Sequence, residues 1–115
     1  MIVLTSLVAF STISFLFFGI SCFTTNYMRT EFVRYGLGDK QRLIGFLQIL
    51  GAIGLLIGYL YLPTLSIISA IGLSLLMILG FGVRLKIKDT FIQSAPSLFY
   101  AIINAWIAIL LLRGL

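Results

Sequence analysis

Few side chains in this sequence could act as a nucleophile, a base or a metal ligand. There is one cysteine, Cys22, and there are three carboxylates and no histidine. Without histidine the chain has no bis-His haem site, no His-based zinc site and no Ser-His or Cys-His nucleophile pair. A lone cysteine cannot close an internal disulfide, and no C-x-x-C pair is present for thiol exchange. Cys22 reads as a small apolar residue at a helix end. Carboxylate chemistry is thinly supplied by Glu31, Asp39 and Asp89. No catalytic or metal-binding residue is expected, and an enzyme made from this chain alone would be unusual. The side chains that stand out are two amides in apolar surroundings: Gln48 in GFLQILGAIGLLIG and Asn104 in AIINAWIAIL. An amide carries N–H donors and a carbonyl acceptor, and lipid offers partners for neither.

The elements that must position these amides follow from where charge is missing. The chain has 115 residues, 61% hydrophobic and only 10% charged, against about a quarter charged in a soluble domain. Residues 1–28, 43–83 and 90–112 carry no charge. A spanning helix needs about 20 apolar residues, so the middle block holds two. The expected fold is all-α: an integral membrane four-helix transmembrane bundle, one domain over residues 1–115. The spans are about 2–23, 43–62, 64–83 and 96–112. Pro63 separates the second and third, since proline suits a helix start. Pro96 is expected to open the fourth, with Ser94 as its cap. The N-terminal span reads as retained, because no basic n-region precedes it.

Net charge is +5, and its arrangement argues for topology, not nucleic acid. Arg29, Arg34, Lys40 and Arg42 lie between the first two spans, and Arg84, Lys86 and Lys88 between the last two. Four spans put both connections on one side, seven basic residues against Arg113 alone on the other. The positive-inside rule makes that side cytoplasmic and both termini external, in a multi-pass cell-membrane protein. Tyr59 and Tyr61 suit an aromatic belt at the opposite boundary. The basic residues could also meet anionic headgroups. The stretch MRTEFVRYGLGDKQR is long for a connector. Phe32, Val33, Tyr35 and Leu37 alternate with charges as in a short amphipathic turn lying in the interface. Gly36 and Gly38 break it, and Asp39 suits the N-cap of the second span.

On the second span Gly51, Gly54 and Gly58 fall within about 60° of one another, with Gln48 at the edge of that stripe. Gly54 and Gly58 form a G-x-x-x-G step that admits a neighbouring backbone. On the fourth, Ser97, Ala101, Asn104 and Ala108 make a narrow small-residue strip. On the third, Ser66, Ser69, Ala70, Ser74, Met77 and Gly80 share a side, interrupted by Leu73. Gln48 and Asn104 are therefore expected to face protein and to form an internal polar contact. Two roles stay open for them: interhelical glue, or the lining of a small cavity for a polar-headed apolar ligand such as a quinone. Small multidrug transporters have this size, but proton-coupled export needs an ionisable group in the membrane. The spans hold none.

EFVRYGL, then RLIGFLQILGAIGLLIG, then LSLLMILGFGVRLKIKD resembles the DoxX-like family of small membrane proteins, from about Glu31 to Leu112. The resemblance rests on Tyr35–Gly36–Leu37, the glycine-rich second span, and the basic exit at Arg84, Lys86, Lys88 and Asp89. It implies a four-helix membrane protein, usually bacterial. Many relatives carry a glutamate in the second span with glycine three residues later. Gln48 and Gly51 stand there, so the ionisable group is lost and only hydrogen bonding remains. Relatives are associated with thiosulfate:quinone oxidoreductase subunits, membrane-tethered oxidoreductase complexes and receptor assembly.

The expected function is that of an accessory or anchoring subunit, with the lipid bilayer, a membrane protein partner or a homodimer as its partners. The alternative is a quinone-linked oxidoreductase subunit in which Gln48, Asn104, Tyr100 and Trp106 frame the quinone. No other cofactor is expected.

Overall fold

A computed structural model describes residues 2–36, 40–88 and 90–114. Among them are five helices: α1 (Ile2–Thr24), α2 (Asn26–Arg34), α3 (Gln41–Tyr61), α4 (Pro63–Lys86) and α5 (Phe91–Gly114). Four are long and apolar enough to cross a membrane. The longest dimension, 41 Å, matches a bilayer of about 40–45 Å with its headgroups. The protein is a small integral membrane protein built as an all-helical bundle.

The spans differ from expectation mostly at their basic ends. α3 begins at Gln41 and α4 runs to Lys86, so Arg42 and Arg84 extend helices that outlast the apolar core. Proline stands at the start of α4, after the single residue Leu62, whose N–H reaches the Gly58 carbonyl at 2.8 Å. Pro96 does not open a helix. It lies inside α5, which starts at Phe91, and Ser94 is a helical residue whose N–H bonds the Thr90 carbonyl at 3.1 Å. The ring forfeits one bond, to the Ile92 carbonyl. That loss falls in the first turns, at the bundle end, where proline is least disruptive. Asp39, Gly38, Leu37 and Asp89 lie outside the described residues.

The long helices close a ring in the order α1, α3, α4, α5, leaving α1 opposite α4 and α3 opposite α5. Each is apolar on every side, so periodicity alone does not orient it. Small residues decide. A Cβ on Gly58 would fall 2.2 Å from the Ser66 nitrogen, and one on Gly51 2.6 Å from Leu73 Cδ2. Those glycines let α4 sit against α3. Leu73, which looks like a break in the small-residue face of α4, is the side chain that fills the notch at Gly51. Gly19 and Gly45 do the same for α1 and α3: a Cβ on Gly45 would lie 2.7 Å from Cys22 Cβ and 3.1 Å from the Gly19 carbonyl oxygen. Phe15, Ala52, Leu55, Ala70, Leu73 and Ile107 form the core, while Phe17, Ile68, Leu79 and Ile102 face outward, as lipid requires.

Candidate functional site

Asn104 sits on the inner face of α5 with no exposed surface. Its Oδ1 accepts from the Ser11 hydroxyl of α1 at 2.8 Å, and its Nδ2 donates to the Tyr100 carbonyl one turn earlier, also at 2.8 Å. The Tyr100 hydroxyl donates to Ser14 Oγ at 3.1 Å, tying the same helix pair. Its ring is stacked on Phe10 and meets Phe15, Phe18 and Phe99 edge-on. Other neighbouring pairs have comparable ties. Ser74 of α4 donates to the Ala101 carbonyl at 2.8 Å, and Ser66 to the Leu55 carbonyl at 3.1 Å. Thr5 and Tyr59 share a hydrogen bond, and Gln41 donates to the Cys22 carbonyl.

Gln48 faces protein, only 5% exposed, but its carbonyl oxygen has no partner among the described residues. The expected pairing of Gln48 with Asn104 is not formed. The reason is architectural: α3 and α5 are diagonal, and the serine of the adjacent α1 takes Asn104 Oδ1 instead. The four residues expected to frame a quinone are not gathered around one space. Asn104 and Tyr100 bond towards α1, Gln48 projects from the opposite corner, and Trp106 is 47% exposed on the outer face of α5. Gly51, Gly54 and Gly58 all turn to α4. On the outer side of that seam lies an apolar trough of about 640 Å³, lined by Leu47, Leu50, Ile57, Ile68 and Leu75 among others.

At the basic end α2 is a true helix, ending in a turn at Tyr35 and Gly36 in which Gly36 takes φ +77°. Phe32 is buried, and Arg34 Nε donates to Glu31 Oε2 at 3.0 Å. Two guanidiniums lie over the Tyr35 ring, Arg34 at 5.2 Å and Arg84 at 5.0 Å from its centroid. Burial pushes the Tyr35 hydroxyl above its ordinary range, opposed by the charge of Arg84. Arg84 Nη1 donates to Ser97 Oγ of α5, so this one side chain joins α2, α4 and α5. Arg84 is thus half-buried, unlike Arg29, Lys40, Arg42, Lys86 and Lys88, which are exposed.

The DoxX-like family model matches residues 3–108, nearly the whole chain. The chain belongs to the DoxX-like family. Neither a curated protein nor a solved structure matches it. Within this DoxX-like bundle Gln48 and the glycines lie on α3, and the geometry gives Gly51, Gly54 and Gly58 each a neighbour on α4. Ser11, Ser14, Gly19 and Gly45 were not legible as partners in the sequence. Serines and glycines are common in membrane helices, and only the pairing of α1 with α3 and α5 singles these out.

Proposed function

We propose that this protein is an accessory or anchoring subunit whose basic end docks a partner at the cytoplasmic surface. The observation that carries this reading is the way α2 is presented. Phe32 and the Tyr35–Arg84–Ser97 chain fasten it to the bundle, while Val33 stays 65% exposed beside Arg29 and Arg34. An ordered apolar side chain rimmed by guanidiniums suits a docking face, where arginine is enriched and little entropy is left to lose on binding. The cytoplasmic placement follows from the seven basic residues gathered at that end. The Asn104 network supports the same reading, because its amide is consumed in joining helices.

Mild extraction of the tagged protein from its native membrane, followed by mass spectrometry of co-purifying proteins, quinones and lipids, tests this. The expected result is a stoichiometric protein partner whose recovery falls about tenfold in Val33→Asp, as for a 1.4 kcal/mol loss. A retained quinone with no protein partner would sink the docking reading in favour of a quinone-linked subunit.

A further inference from the structure

Unpartnered buried polar atoms are rare, and each asks for a partner such as water, an ion or a ligand group. Three occur among the described residues: Thr12 Oγ1, Gln48 Oε1 and Ser94 Oγ. Two of them lie in the half of the bundle nearer the basic end, and register brings Gln48 level with Ser97. Gly19 packs against Gly45 and Ile49, so Gln48 is level with about Phe18 of α1. Ser14 bonds Tyr100 and Ser11 bonds Asn104, so Phe18 is in turn level with about Ser97 of α5. Gln48 lies between the α3 faces that meet α1 and α4, and Ser97 between the α5 faces that meet α4 and α1. Both are buried, and both project towards the bundle axis from helices whose backbones do not meet.

Arg84 reaches this level from above, with Nη1 on Ser97 Oγ. There is room beside both: a Cβ on Gly80 would make only ordinary contacts, 3.4 Å to Arg84 Nη1 and 3.6 Å to Ser97 Oγ. The one acidic side chain among the described residues, Glu31, pairs with Arg34 and not with Arg84, whose neighbours are Ser97 and the Tyr35 ring. A half-buried guanidinium costs free energy until an anion meets it, and its planar fork of N–H donors fits carboxylate and phosphate.

We propose that Arg84, Ser97 and Gln48 form a binding site for a small oxyanion, a carboxylate or phosphate group, entered from the basic end beneath Tyr35. Arg84 supplies charge-assisted hydrogen bonds, and the Ser97 hydroxyl turns to donate. The Gln48 amide offers either edge, since a half-turn about its last torsion exchanges oxygen and nitrogen. Ser94, one turn nearer the basic end, adds a second unpartnered hydroxyl. The oxyanion is free in solution or the headgroup of a lipid. The site shares Arg84 and Ser97 with the chain that fastens α2, but its test reads anion binding and not partner recovery, so failure of either reading is told from failure of the other.

The test uses the full chain in phosphatidylcholine nanodiscs. Inorganic phosphate is titrated by calorimetry, and native mass spectrometry scores retention of dioleoylphosphatidic acid doped into the discs. One of the two should bind at one per chain: phosphate alone assigns a soluble anion, phosphatidic acid alone a headgroup. Gln48→Leu and Arg84→Gln should each weaken binding about tenfold, as for one lost hydrogen bond to a charged group, with Arg84→Lys intermediate. Gln48→Leu removes an amide whose carbonyl oxygen is unpartnered, so its thermal stability without anion should not fall. If Arg84→Gln fails to fold, Gln48→Leu and Ser97→Ala decide the matter. Binding of neither probe, or binding indifferent to these substitutions, overturns the proposal.

Discussion

Asn104 and Tyr35 show how single side chains act in this bundle. Asn104→Leu would leave the Ser11 hydroxyl without its acceptor in an apolar interior, and leaving a buried polar group unsatisfied costs about 1–3 kcal/mol. We expect a lower unfolding temperature in detergent. A double-mutant cycle with Ser11→Ala should return a coupling near the membrane average of about 0.6 kcal/mol. Tyr35 makes a pH prediction. Its folded-state pKa is raised from the model-compound value of 10.0 by burial, with Arg84 opposing. The neutral phenol is therefore favoured in the folded state. Its contribution is complete below pH 10 and is lost as pH rises through the folded value. The ultraviolet phenolate difference between wild type and Tyr35→Phe should titrate above 10, and a midpoint at or below 10 would contradict the burial.

At the scale of elements, the seams between helices are set by which glycines have a neighbour. Gly58 and Gly72 are one residue type with opposite prospects. A Cβ at Gly58 collides with the Ser66 backbone, whereas one at Gly72 meets nothing within 4 Å. Gly58→Ala should push α4 from α3 and destabilise by about 1–3 kcal/mol, as overpacking does. Gly72→Ala should be neutral or stabilise by up to about 1 kcal/mol, through helix propensity. Thermal unfolding of the two variants side by side checks this, and equal effects would refute the seam. Because Gly54 and Gly58 are used within the chain, the G-x-x-x-G step is occupied by α4.

For the whole molecule, the prediction is orientation. Both basic connections leave the same end of the bundle, with the α3–α4 turn at the other. In a Cys22→Ser background, Lys88→Cys should react with a membrane-impermeant maleimide only from the cytoplasmic side. Leu62→Cys, at the turn, should react only from outside. The reverse pattern would invert the topology and move the docking face to the exterior.

Much was legible in the sequence because lipid imposes its demands locally. Uncharged blocks of about 20 residues fix the number of spans, and clustered lysines and arginines mark one end. An amide such as Gln48 must turn from lipid wherever it stands, and it does. Helix boundaries were blurred at the basic ends, where hydrogen bonding continues past the apolar stretch, and at Pro96, whose cost depends on its distance from the helix start. Which helices are neighbours could not be read, because four apolar cylinders offer no periodic face to match. Tertiary structure put α3 diagonal to α5. It gave Asn104 to Ser11, left Gln48 Oε1 unpartnered and drew Arg84 inward to Ser97. Composition determines that the chain belongs in a membrane, since solvation is a property of each residue. Partners depend on helix order, which is set by the close approach of a few glycines.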